Sequence, residues 1–479
     1  MNGTLLHKAH TIKYTFESRL DKVKIKVNST YSSLVISLFS FVIALNLVNL
    51  FLQNNVLTYV IGILAIMCIG ISFHRTDKFI KYTGSIFLLI GIAIIIITDE
   101  SFLTIPTKML SMLDLLGLII VLPFITSIIK VGKYEHNVNK LLKANIHHLG
   151  QVYNRGSLSS FLVGSFLNLA TLPLLINSLL RNLSNVSSRV KNKLISQSVL
   201  RGYSLCLIWS PMELLVAMTV DVTGVGYTTY LPWLLLLSFL LLLLDWLTGL
   251  KYKKYLYEKG DSGHEPLSMY NYKKMAIMIF ALALFITSVN LFRNGTNIGF
   301  ITSVTLVIIP FSIAWSLLIK RFRAYLSYSV KSWQRSTSKL QNYFFLFLSA
   351  GFFITMLKET SIFSYMQHPF LLAAEYPILL FVMIQVIFLL FAMVGFHPLV
   401  TFSILGEILK PLMATISPIS IGFVLIMSSL STAVAGPYNL SVSLTGSMLK
   451  TNPYFVSLWN LFFALLFGSA GTILALFFL

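Results

Sequence analysis

Runs of about twenty apolar residues, the length of a helix that crosses the hydrocarbon core of a bilayer, recur along this chain between short stretches rich in Lys and Arg. Few folds are open to such a polypeptide. Backbone groups in lipid must bond within the protein, and for segments of this length that means helices. Composition agrees, since 56% of the residues are hydrophobic, 11% are charged and the mean hydropathy is +0.81, more than a soluble core requires. The formal charge of +20 would suit a nucleic-acid binder if it lay on a water-exposed basic face. Here it lies in clusters between apolar runs, as cytoplasmic loops require. The bilayer is therefore the expected partner, and nucleic acid is not. Cys68 and Cys206 sit inside apolar segments and offer neither a disulfide framework nor a metal pattern.

Residues 1–30 are basic and mixed, without the pattern of a cleavable signal peptide, which predicts a cytoplasmic start able to form a surface helix against anionic headgroups. An extra first helix follows within 31–56. The basic-loop rule then gives crossings near 57–73, 84–98 and 109–130, with Arg75, Lys78 and Lys81 inside, Asp99 and Glu100 outside, and Lys130, Lys133, Lys140, Lys143 and Arg155 inside. The apolar stretch 157–180 has basic loops at both ends, so it is expected to enter halfway and return, turning near Asn168 to Thr171. An ordinary crossing with basic residues on both sides is the simpler alternative. Next come a crossing over 194–220, another over 229–249, and a basic linker, 251–274. Crossings at 275–292, 298–319 and 343–357 follow, with a basic loop from Lys320 to Lys339. A second hairpin is expected over 377–410, interrupted at Gly395-Phe396-His397-Pro398, and crossings at 419–445 and 454–476 end the chain. The expected fold is an all-α polytopic membrane protein of about eleven transmembrane helices and two re-entrant hairpins, arranged as inverted repeats over 57–250 and 275–479.

Two of the later crossings are broken in the same way, at Ser210-Pro211-Met212-Glu213-Leu214 and at Gly436-Pro437-Tyr438-Asn439-Leu440. Aligned on their prolines, both reach a tryptophan 22 residues later, Trp233 and Trp459. Paired breaks in corresponding segments mark secondary transporters built from internal repeats. Proline removes an N–H and clashes with the preceding turn, freeing a carbonyl about one turn upstream, here at Cys206 and Thr432. Each half-helix N-terminus offers free N–H groups and a positive dipole end suited to an anion, and each C-terminus offers carbonyls suited to a cation. A plain proline kink is the competing explanation.

Three crossings, a hairpin, a broken helix and a last crossing, repeated in opposite orientation, resemble the ion transporter superfamily, which includes divalent anion:sodium symporters and citrate and arsenite permeases. The resemblance covers about 57–479 and implies a solute site at Asn168 and Thr171 on the first tip, His397 and Thr401 on the second, and Ser210, Pro211, Gly436 and Pro437 at the unwound points. The tips here lack a Ser-Asn-Thr triplet and the loops are reduced to Ser-Pro-Met-Glu and Gly-Pro-Tyr-Asn. Neither sodium coupling nor a dicarboxylate substrate follows from it.

Glu213 stands out among single residues, because a carboxylate in an apolar run is costly at membrane depth and by default signals function. It could carry the coupling proton, or make a structural hydrogen bond. Its counterpart is the neutral Asn439. Glu407 with His397 could form a second proton relay, and Thr432 with nearby serines could line a pathway or simply permit close packing. Asp114 and Asp245 lie near segment ends, where carboxylates more often cap or snorkel. No catalytic or phosphate-binding motif is present, and no cofactor is expected beyond H+ or Na+ as coupling ion.

The expected function is secondary active transport of a small anionic solute in a bacterial cytoplasmic membrane, with the N-terminus inside and the C-terminus outside. Two alternatives remain: a flippase for a lipid-linked or polyprenyl-phosphate intermediate, and a membrane-embedded glycan polymerase or transferase. The membrane-depth segments contain acidic residues and almost no Arg or Lys, which ranks the flippase below a small-solute carrier. A homodimer is left open.

Overall fold

The computed structural model describes residues 30–132, 147–256 and 269–479. The expectations for the N-terminal segment before residue 30, for Lys133, Lys140 and Lys143, and for residues 257–268 of the linker lie outside the described residues. Helix is the regular structure of everything described except one isolated bridge between His148 and Leu256. Among the described residues, ten helices are long and apolar enough to cross a membrane, and a bent pair raises the number to eleven. The protein is a polytopic α-helical membrane protein. This set differs in membership from the expected crossings. It counts Pro377–Val394, read above as a hairpin arm, and omits Ser188–Leu207, where Arg189, Lys191, Lys193, Gln197 and Arg201 dilute the apolar surface.

The chain forms two compact units: residues up to Ile120 with Val330–Met356, and Val121–Ser329 with Leu357–Leu479. The first unit holds α1 (Thr30–Leu52), α2 (Asn55–Phe73), α3 (Lys78–Ile97), the start of α4 (Leu113–Val131) and most of α13 (Gln341–Leu357). Its packing follows from small residues on α3. A Cβ added at Gly84 or Gly91 would lie 2.5 Å from the ring of Phe345 or Phe352 on α13, so these two glycines, seven residues apart on one face, seat two phenylalanines with the same spacing. Phe39 of α1 stacks on Phe344 at 3.7 Å between centroids. At the helix ends the Asp77 N–H donates to Asn342 Oδ1 at 2.9 Å.

The stretch expected as a basic loop, 320–339, contains α12 (Phe322–Thr337), bent 58° from α13. Its apolar and basic residues alternate with helical period: Tyr325 and Ser329 are buried, while Arg323, Lys331 and Arg335 are exposed. That is the pattern of a helix lying along an interface.

The second unit contains two series of helices with matching lengths. In the first, α5 (Leu149–Leu167), α6 (Thr171–Asn182), α7 (Ser188–Leu207), α8 (Leu214–Thr223) and α9 (Tyr227–Leu250) have 19, 12, 20, 10 and 24 residues. Between the two series lie α10 (Met269–Thr296) and α11 (Phe300–Leu318), and α14 (Ser361–Ala374) precedes the second. The second series, α15 (Pro377–Val394), α16 (Pro398–Leu409), α17 (Pro418–Ala435), α18 (Leu440–Met448) and α19 (Pro453–Leu476), has 18, 12, 18, 9 and 24. From each proline onward the boundaries coincide, since both half-helices start three residues later, at Leu214 and Leu440. Both 12-residue arms reach only about 18 Å, short of the ~30 Å hydrocarbon core.

Packing repeats as well. In each series the long arm lies on its broken helix, α5 on α7 and α15 on α17, while the short arms are exchanged, α6 lying on α18 and α16 on α8. A two-fold relation between the series produces such an exchange. Trp233 near the start of α9 meets Phe478 just past the end of α19, edge to face at 5.1 Å, which sets these equivalent helices antiparallel.

Candidate functional site

The two breaks show how the sequence stops a helix and restarts it. Proline cannot extend the ladder and disfavours helical geometry in the residue before it. Residues 208–213 and 436–439 are accordingly non-helical, and Glu213 (φ −81°, ψ 124°) and Asn439 (φ −65°, ψ 138°) are the matching extended residues that open α8 and α18. Asn439 Oδ1 accepts from the Ser441 N–H at 3.3 Å. Glu213 holds the equivalent position, half-buried, at the positive end of a ten-residue helix.

The carbonyls at the breaks differ from the expectation. Thr432 keeps its backbone partner, the Gly436 N–H at 2.7 Å, because the carbonyl that faces the missing proline N–H is that of Ala433. The Ser441 hydroxyl donates to it at 2.5 Å. At the first break the Leu207 carbonyl takes the Ser210 N–H at 3.1 Å, and the Trp209 carbonyl takes the Tyr227 hydroxyl at 2.5 Å. Cys206 packs against Gly164 and donates its thiol to the Tyr203 carbonyl.

The tips turn on positive φ, at Asn168 (φ 48°) and Gly395 (φ 111°). These two cap the long arms, so Asn168 corresponds to Gly395, and Thr171 corresponds to Pro398 as the first residue of a short arm. This register differs by two to three residues from the one that pairs Asn168 with His397 and Thr171 with Thr401, because the 3-10 turn after Asn168 has no counterpart at the second tip. Asn168 Oδ1 accepts from the Tyr203 hydroxyl at 2.7 Å, which ties the first tip to α7. His397 opens α16, and its Nδ1 accepts from the Leu399 N–H at 3.3 Å. Gly436 is held close to the second hairpin, since a Cβ there would come 3.2 Å from Ala392 Cβ and 2.8 Å from the Thr432 carbonyl oxygen.

Several buried polar atoms around these tips and breaks lack a hydrogen-bond partner within the protein: Oγ1 of Thr171 and Thr401 on the short arms, Nε1 of Trp209 at the first break, Ser428 Oγ before the second and Thr445 Oγ1 after it. Buried polar groups are ordinarily paired; ten further unpartnered atoms lie elsewhere in the described residues.

Glu407 and His397 are not brought together. They lie at opposite ends of α16, about 15 Å apart along its axis, and Glu407 is held by Lys358 at 2.9 Å and Lys410 at 2.7 Å. Asp114 accepts from Asn46 Nδ2 at 2.9 Å in the first unit.

Asp245 is no end cap. It is 3% exposed and pairs with Arg201 at 3.0 Å, also accepting from the Tyr153 hydroxyl at 2.7 Å and the Ser157 hydroxyl at 3.2 Å. Arg201 Nε donates to Asn460 Oδ1 at 3.0 Å, and its other nitrogens reach Thr248 Oγ1 and the Trp459 carbonyl. The network joins α5, α7 and α9 of the first series to α19 of the second. Asp221, also absent from the expected site, has its carboxylate on the Phe300 and Ile301 N–H groups at 2.5 and 3.0 Å, docking α8 on the N-terminus of α11.

No protein-family model matches this chain, and no curated protein matches it in sequence. Among solved structures it is similar to the YdaH transporter of Alcanivorax borkumensis, a protein described as having an unusual topology. The TM-score is 0.57, covering 82% of this chain and 97% of that one at 13% identity. The two share a fold. At this identity the likeness concerns architecture, and it carries no residue's role across.

Proposed function

We propose that this chain is a secondary active transporter that moves a small anionic solute by alternating access, coupled to H+ or Na+. One observation carries the reading: two proline-broken helices lie in one compact unit, each half-helix after the break packed against the other series' short arm. The shared fold with a transporter supports it. In this reading the solute rests between the breaks and tips, near Ser210, Pro211, Gly436, Pro437, Asn168, Thr171 and Thr401. The N-termini of α8 and α18 favour its negative charge. Glu213, the one acidic member of the set, takes the proton. Sodium held by carbonyls has less support at Leu207, Trp209, Thr432 and Ala433, which have partners, than at Cys206.

The basic-loop rule supports an orientation with the N-terminus inside and the C-terminus outside, in what we propose is a bacterial cytoplasmic membrane. Purified protein in liposomes is expected to accumulate at least one radiolabelled anion from a panel of carboxylates and phosphate when a pH or sodium gradient is imposed. Accumulation should collapse when that gradient is dissipated. Equal counts in protein-free liposomes under both gradients would end the transport reading.

The first hairpin is also proposed to open to the cytoplasm at both ends. Single cysteines replacing exposed His147 and Asn185, just outside α5 and α6, should both resist an impermeant thiol reagent in intact cells and react in inverted vesicles. Native Cys68 and Cys206 are buried and leave a low background. Labelling of only one position from outside would make 149–182 a full crossing.

A further inference from the structure

A groove of about 730 Å³ runs between α9 and α19, outside the candidate transport site. Its walls are apolar: Trp233, Leu237, Leu241 and Leu244 of α9 face Leu466 and Ile473 of α19, with Ser469 as the one hydroxyl. One end is closed, where Trp233 meets Phe478 at 5.1 Å and Phe478 leans on Phe423 at 5.3 Å. From Trp233 to Leu244 the groove follows α9 for about 16 Å, and Lys251 lies about 10 Å beyond Leu244, so a ligand joining the aromatic end to the first lysine must be extended over about 27 Å. Beyond Leu244 it heads toward the C-terminus of α9, where Lys251, Lys253 and Lys254 are all exposed. Lys450 precedes α19 at the same end.

We propose that this groove binds one anionic phospholipid of the leaflet bordering the basic end, its headgroup phosphate at Lys251, Lys253 and Lys254 and one acyl chain lying in the groove with its end against Trp233 and Phe478. A concave apolar slot with one aromatic stop and one cationic mouth fixes the orientation of an amphiphile. A flat lipid-facing helix would bind headgroups of either charge alike. Juxtamembrane lysines select anionic headgroups electrostatically, and the slot supplies apolar burial for the chain.

Trp233, 41% exposed at the closed end, reports occupancy directly. The protein is reconstituted in phosphatidylethanolamine vesicles containing a small fraction of brominated phosphatidylglycerol or, separately, the same fraction of brominated phosphatidylethanolamine. Subtracting the quenching seen in Trp233→Phe isolates this residue among the six tryptophans. The anionic lipid is expected to reach half-maximal quenching of Trp233 at a mole fraction about a hundredfold lower than the zwitterionic one, as three lysines at the headgroup level should give. The combined Lys251→Gln, Lys253→Gln and Lys254→Gln variant should erase that difference, and Leu240→Trp, which narrows the slot, should reduce quenching by both lipids. Identical curves for the two lipids, or an unchanged preference in the lysine variant, would reduce the groove to ordinary lipid contact and overturn the proposal. Failure of either lipid to quench Trp233 would also overturn it, leaving protein, such as a second copy of this chain, as the cover.

Discussion

Replacing Arg201 by Met is expected to destabilise the second unit by about 3–5 kcal/mol, the range found when one partner of a buried ion pair is removed. Asp245 would be left with only the Tyr153 and Ser157 hydroxyls, Asn460 Oδ1 would lose its donor, and the Trp459 carbonyl would keep only Gln197 Nε2 as a side-chain donor. Arg201→Lys should recover little, because Nε and both terminal nitrogens serve different acceptors, and a single ammonium cannot cover that fork. The double variant Arg201→Met with Asp245→Leu should recover most of the loss, since two apolar residues of similar volume leave no buried charge. Denaturant unfolding in mixed micelles, run as a double-mutant cycle, measures this. A single variant within about 1 kcal/mol of wild type would show that the pair adds no more than an exposed one does.

That network also shows where sequence reading stops. The breaks at Pro211 and Pro437 are legible because proline acts on its own turn, and the starts of α8 and α18 follow from the same two residues. Arg201 and Asp245 are separated by 44 residues, and Asp245 alone reads as the charged edge of a segment. Their pairing depends on how α7 packs against α9, which no local pattern encodes. The available signal was Arg201 itself, a guanidinium well inside the stretch 194–220, where a charge at membrane depth needs a named partner. The tip register failed for a related reason. Similar side chains suggest one alignment of Leu169 to Leu175 with Leu399 to Leu405, whereas positive φ, adopted readily by Gly and by Asn168 in an uncommon conformation (φ 48°, ψ −132°), equates Asn168 with Gly395. The segment 320–339 illustrates a third limit, because charge counting alone cannot separate a basic loop from an amphipathic interfacial helix; the spacing of Tyr325 and Ser329 can.

Glu213→Gln is expected to abolish accumulation driven by a proton gradient while leaving solute exchange largely intact. The substitution keeps the side chain's size and a hydrogen-bonding oxygen but removes the site that gains and loses a proton. A structural origin for Glu213 is available, because an acidic residue at a helix N-terminus is favourable by about 0.3–1 kcal/mol. That gain is smaller than the roughly 2.5–3.5 kcal/mol charged to an acidic residue at the centre of a membrane helix, and the matching position in the second series manages with Asn439, whose side chain caps α18 without charge. If Glu213 were only a cap, Glu213→Gln would keep gradient-driven accumulation and its pH profile, with stability changed by less than about 1 kcal/mol. If it carries the coupling proton, the variant should equilibrate solute without concentrating it, and Glu213→Asp should retain partial coupling because the titrating group survives. Accumulation by Glu213→Gln that still follows the pH gradient would remove Glu213 from the coupling step. The sodium arm of the same uptake assay then decides, since a sodium-coupled carrier keeps its dependence on that gradient in both variants.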